Sequence, residues 1–178
     1  MTLEEIIFGC QKHEPYAQEQ LYVLFSKKMF GICLKYSSNY ADAEDNLQDG
    51  FIQIFKNIKQ FQQKGSFEGW AKRVMINNAL QQFRKIKHLE IITEHIEYED
   101  DADFEADNLC QEFLLKIIQE LPERYRLVFN LYGIDNYSHH EISMLLGISV
   151  GTSKSNLNRA RHILKEKIVV AKKQLHLL

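Results

Sequence analysis

The sequence predicts an all-α protein made of two small helical domains joined by an acidic flexible linker. Three observations support this. Apolar residues recur at spacings of three and four along most of the chain, which is the period of a helix and not the alternation of a strand. Only two prolines occur, Pro15 and Pro122, and each stands where a helical pattern begins. Between 88 and 108 the carboxylates Glu90, Glu94, Glu97, Glu99, Asp100, Asp101, Asp103, Glu105 and Asp107 appear with no lysine or arginine. Such a run repels itself and reads as a tether. The boundaries that follow are 1–88, a linker over 89–108, and 109–178. The chain of 178 residues has a formal net charge of -2, an average that hides opposed segments.

In the first domain, Thr2 and Glu5 form a capping box for a short helix that ends near Lys12. Pro15 suits the first position of a second helix, whose core stripe is Ala17, Leu21, Leu24, Phe25, Ile32 and Tyr36; Ser37, Ser38 and Asn39 end it. A third helix, over about 41–58, sets Ala43, Leu47, Phe51, Ile54, Phe55 and Ile58 inward. The other side of its first half carries Asp42, Glu44, Asp45 and Asp49. Carboxylates near a helix start are favoured by its dipole, and they also suit docking to a basic partner. Lys64, Gly65 and Ser66 signal a turn, and Ser66 is placed to cap a fourth helix over about 67–87. From 71 to 87 that helix has Lys72, Arg73, Arg84, Lys85 and Lys87 and no acid, with Asn77, Asn78, Gln81 and Gln82 interleaved. Phe67 and Trp70 read as core. The acid-free face reads as a nucleic-acid surface, with cations and amides for phosphates and unpaired bases.

The second domain opens with Leu109, Phe113, Leu114, Ile117, Ile118 and Leu121 on one helix face. Pro122 restarts a helix that carries Leu127, Val128 and Leu131 and stops at Gly133. Residues 137–165 then read as helix, turn, helix. Ser138 and Glu141 make a capping box, Gly147 is a left-handed helix end, and Ser149 caps the next helix. Val150, Leu157, Ala160 and Leu164 mark the buried side of that helix. Its outer side offers Thr152, Lys154, Ser155, Asn156 and Arg159, groups suited to base edges and phosphates in a major groove. Beyond Val150 the cations, with Lys165, Lys167, Lys172 and Lys173, face one acid, Glu166. That imbalance is the footprint of a phosphate-backbone partner.

Several function classes are disfavoured. No apolar run is long enough to span a bilayer and no signal-peptide pattern opens the chain, so a cytoplasmic protein is expected. Cys10, Cys33 and Cys110 lack zinc or disulfide spacing and read as buried thiols. His140 and Glu141 begin like a zinc-protease helix, but Met144 stands where the second histidine is needed. No cofactor, metal or catalytic constellation is expected.

Two long motifs resemble the sigma-70 family, specifically the small extracytoplasmic-function sigma factors of bacterial RNA polymerase. The first is DAEDNLQDGFIQIFK at 42–56, followed by GSFEGW at 65–70 and NNAL at 77–80; it is similar to the family's region two. The second is LPERYR at 121–126 with SHHEISMLLGISVGTSKSNLNRAR at 138–161; it is similar to region four. The resemblance implies a polymerase subunit that directs promoter recognition, melting and initiation, with no catalysis of its own. Asp45, Leu47, Gln48, Asp49 and Phe51 would dock the clamp helices of the polymerase's largest subunit. Lys72, Arg73, Asn77, Asn78, Gln81 and Arg84 would face the minus-ten element, with the 64–69 loop capturing an extruded base. Thr152, Lys154, Ser155, Asn156, Arg159 and Arg161 would read the minus-thirty-five element, and apolar surface of the second domain would meet the polymerase flap. An anti-sigma inhibitor is a further expected partner. The chain departs from the family pattern at Ser153, commonly apolar, at Asn156, commonly arginine, and at His139 and His140. Ser153 is expected to weaken packing slightly. A stand-alone helix-turn-helix regulator is the competing reading, and it predicts duplex binding without polymerase.

Overall fold

The structure, a computed structural model, describes residues 1–62, 64–87 and 111–175. Among the described residues there are eight α-helices and no strand: α1 (Leu3–Gln11), α2 (Pro15–Tyr36), α3 (Tyr40–Asn57), α4 (Phe67–Lys87), α5 (Gln111–Gln119), α6 (Glu123–Phe129), α7 (His139–Leu146) and α8 (Val150–Leu175). A 3-10 turn at Ile58–Gln60 follows α3, and a π-helical segment at Asn130–Ile134 follows α6. The chain divides into two compact units, Met1–Phe83 and Arg84–Leu178. The acidic stretch 88–108 and Cys110 lie outside the described residues.

In the first unit the capping box of Thr2 and Glu5 starts α1. His13 then takes a left-handed conformation (φ 62°) and Glu14 N–H bonds back to Gly9 O at 3.0 Å, which folds α2 onto α1. Pro15 sits in the first turn of α2, where its missing N–H leaves no helical bond unmade. The inward stripe of α2 is Ala17, Leu21, Phe25, Met29, Cys33 and Tyr36. Leu24 does not belong to it and is 54% exposed, because it is rotated about 100° from Phe25 along the helix. Asn39, expected to close α2, instead opens α3: its side-chain oxygen accepts from Asp42 N–H at 2.9 Å. Phe67 packs with Phe25, Phe61 and Trp70 at ring-centroid distances of 5.2, 5.3 and 5.6 Å and joins α4 to α2. Phe67 is therefore part of the core, and Trp70 packs against it while partly buried.

In the second unit Ile117 and Leu121 pack against Ala160, Leu164 and Ile168 of α8. Arg126 is buried there, and its guanidinium donates to the carbonyls of Gln119 and Leu121 at 2.8 and 3.0 Å. Those carbonyls lie at the end of α5, where the helix itself supplies no donors. The chain does not stop at Gly133. It winds one π-helical turn through it, and Tyr137 N–H bonds to Leu131 O at 2.9 Å. Cys10 and Cys33 are buried free thiols. Burial pushes them up to about 11 and about 12, so both are protonated at neutral pH.

Candidate nucleic-acid interfaces

The fourth helix starts where Ser66 Oγ accepts from Gly69 N–H at 3.1 Å. Phe67, Ala71, Met75, Ile76, Leu80 and Phe83 are buried. Arg73, Asn77, Gln81 and Arg84 are exposed and form one stripe along the helix, with Lys72 half-exposed beside it. Asn78 is not on this stripe. It is 8% exposed, and its amide donates to Asn46 Oδ1 on α3 at 2.8 Å. One helical step thus turns Asn77 outward and Asn78 into the α3 contact.

Between the 3-10 turn and the first turns of α4 lies an open cavity of about 390 Å³, within the size range of small-ligand sites. Phe61 and Trp70 give it aromatic surface; Lys64, Ser66 and Arg73 give it donors.

On α3, Glu44, Asp45, Gln48 and Asp49 are exposed. Asp42 is drawn into the helix cap, accepting from the Asn39 amide at 2.8 Å and from the Ser38 hydroxyl. Leu47 and Phe51 are buried, and Tyr22 of α2 lies over the Phe51 ring at 4.7 Å. These two residues hold the acidic face in place and do not form part of it. Ile52, not singled out from the sequence, is 49% exposed on the same face. Its spacing of three, four and seven from Asp49, Gln48 and Asp45 was the available signal.

In the second unit the capping box of Ser138 and Glu141 starts α7. The Ser138 hydroxyl and backbone N–H hold the Glu141 carboxyl below the usual glutamate range. This support is present above that range and fades as pH falls through the lowered value. Gly147 is left-handed (φ 64°, ψ 41°), a conformation that costs a side-chain-bearing residue energy. Ser149 Oγ accepts from Thr152 N–H at 2.9 Å and starts α8. The two helices so placed make a helix-turn-helix. Lys154 is exposed, and Thr152, Ser155 and Arg161 are half-exposed. Asn156 is 7% exposed and faces inward, one turn from Ala160. Val150, expected inside, is 39% exposed. Arg159 donates to the Tyr125 hydroxyl at 3.0 Å and so bridges α8 to α6. Ser153 does not sit loosely: it is fully buried, and its hydroxyl is 2.9 Å from His139 Nδ1.

A cationic helix beside an acidic one in one unit, and a basic helix-turn-helix in the other, are the features of a DNA-binding protein. The sigma-70 region 2 model matches residues 21–88 and the sigma-70 region 4 model matches residues 112–164. The chain is 27% identical to the ECF RNA polymerase sigma factor SigW of Bacillus subtilis over 94% of this chain and 97% of that protein. It is 30% identical to the RNA polymerase sigma factor SigZ of the same organism over 69% of this chain and 70% of that one. Among solved structures, the sigma factor RpoE of Bartonella quintana, in complex with the anti-sigma factor NepR, shares the fold with a TM-score of 0.54 at 22% identity, over 85% of this chain and 96% of that one. The chain belongs to the sigma-70 family, as an RNA polymerase sigma factor of the extracytoplasmic-function type. Among the described residues no helix is long and apolar enough to cross a membrane.

Proposed function

We propose that this sigma factor acts in the cytoplasm as a promoter-specificity subunit without catalysis of its own. Residues 1–88 dock polymerase and engage the minus-ten element, 89–108 tether, and 109–178 engage the minus-thirty-five element. The acidic face of α3, through Asp45, Gln48, Asp49 and Ile52, meets the clamp helices of the largest subunit; Leu47 and Phe51 support it from beneath. Lys72, Arg73, Asn77, Gln81 and Arg84 face the melted minus-ten strand, and the cavity at Trp70 takes one extruded base. Unstacked bases gain from aromatic surface and from donors at their edges. Thr152, Lys154, Ser155, Arg159 and Arg161 contact the minus-thirty-five duplex. Asn78 and Asn156 act by packing. Exposed Met144, beside the turn, belongs to the apolar surface for the polymerase flap. The NepR complex of the Bartonella protein supports an anti-sigma inhibitor as a further partner.

One observation carries this reading: the buried Asn46–Asn78 bond joins α3, with its acidic exposed face, to α4, with its cationic stripe. Docking and strand engagement then occur at a fixed spacing. Run-off transcription with sigma-free core polymerase on genomic fragments tests it. Defined starts are expected only when the chain is added, and their absence at every site overturns the proposal. Asn77→Ala is expected to slow promoter opening with an unchanged melting temperature. Asn78→Ala is expected to lower stability by about 1 to 2 kcal/mol, the cost of leaving a buried partner unmet.

A further inference from the structure

The bond between His139 and Ser153 joins the two helices of the helix-turn-helix. Ser153 lies in the first turn of α8 and is fully buried. A buried hydroxyl needs a partner, and on a helix it commonly turns back to its own backbone. Here the Ser153 hydroxyl lies 2.9 Å from Nδ1 of His139, the first residue of α7. The His139 ring is in turn stacked on Tyr132, with centroids 4.4 Å apart and planes 18° apart. The π-helical segment, α7 and α8 therefore meet at one polar point. Ile142 and Leu146 of α7 and Leu157 of α8 are buried apolar residues of the same two helices. Apolar contacts are non-directional; a hydrogen bond adds a directional constraint to them.

We propose that His139 and Ser153 are a matched pair of positioning residues that sets the roll of α8 on α7. Ser153 has Thr152 and Lys154 as its chain neighbours, so the bond fixes how these side chains and Ser155 approach base edges. Contacts of that kind tolerate misplacement of only about 0.5 Å. The inference rests on the groove role of α8 and adds the element that makes that role sequence-selective.

The test uses the full chain assembled with core polymerase and a pool of duplexes randomised across the upstream element. Ser153→Ala and His139→Phe, which keeps a ring against Tyr132, are each expected to lower enrichment of the preferred sequences about fivefold, the weight of one net hydrogen bond. The salt dependence of binding stays unchanged, since no phosphate contact is lost. His139→Asn keeps a hydrogen-bonding atom near the place of Nδ1 and is expected to recover most of the enrichment. In nitrogen NMR of the free chain, the Nδ1 resonance of His139 is expected to move in Ser153→Ala. Full enrichment by Ser153→Ala, or an Nδ1 resonance that does not move, overturns the pairing and leaves the groove role standing. A wild-type holoenzyme that enriches no sequence overturns the groove role itself.

Discussion

The two helices that carry the cationic faces, α4 and α8, are held in opposite ways. α4 is gripped along its length: Phe67 and Trp70 lie in an aromatic cluster, Met75 fills the space that Gly50 leaves on α3, and Leu80 and Phe83 continue the core. Its presented stripe follows from volume. α8 has its apolar core at Leu157, Ala160, Leu164 and Ile168, with no buried apolar residue in its first two turns. Its N-terminal part adds single polar bonds to that packing: the Ser149 cap, the Ser153–His139 bond and, further along, the Arg159–Tyr125 bond. The first unit should therefore be sensitive to added or removed volume, and the second to the loss of individual donors.

The largest effect expected under this contrast is at Arg126. Its guanidinium closes the end of α5 by donating to two carbonyls in a buried setting. Arg126→Ala leaves both without that donor and removes packing, so a loss of about 3 kcal/mol is expected. The chain has one tryptophan, Trp70, in the first unit. Denaturant unfolding followed by its fluorescence should be unchanged while circular dichroism shows early loss of helix. A shift in both signals would show that the two units unfold together.

The next effect belongs to the first unit and has a built-in control. A β-carbon at Gly50 would fall on the Met75 sulfur and lie 3.0 Å from its methyl. Met75 is fully buried, so the surroundings must move. Gly50→Ala is expected to cost about 2 kcal/mol by overpacking. At Gly31, in the middle of α2, a β-carbon meets nothing within 4 Å. Gly31→Ala is expected to gain about 0.5 to 1 kcal/mol from helix propensity. Fluorescence-monitored unfolding of both variants checks the pair. Equal effects would mean that close packing between α3 and α4 is not what holds the stripe in place.

Much of this was legible in the sequence because caps and periodicity are local. Both capping boxes, the Ser66 and Ser149 caps and the left-handed Gly147 follow from residues within four positions of one another. What was not legible depends on rotation about a helix or on distant partners. Asn77 and Asn78 are the same residue type side by side, and only the position of Asn46, 32 residues away, decides which is outward. Asn156 and Arg159 both read as groove residues, yet one is buried and the other is bonded to a tyrosine 34 positions earlier. Ser153 looked like a packing defect because its partner lies across the turn, 14 residues away. Asn130–Ile134 hid its π-helical turn behind a glycine that normally ends a helix.

The smallest expected effect divides the two ways a tethered arginine can serve a nucleic-acid site. Arg159 Nη1 donates to the Tyr125 hydroxyl at 3.0 Å, with the guanidinium 5.9 Å from the ring centroid. Tyr125→Phe deletes the acceptor and keeps the ring, so stability should change by less than about 1 kcal/mol. A tether that pre-orders the guanidinium lowers the entropy lost on binding. Its removal should then weaken holoenzyme binding at the upstream element about threefold at constant salt slope. Arg159→Ala should instead lower that slope by about one unit, because a phosphate contact disappears. Tighter binding by Tyr125→Phe would mean that the tyrosine holds the arginine away from the groove, and the polar bonds of α8 would then work against presentation at this one residue.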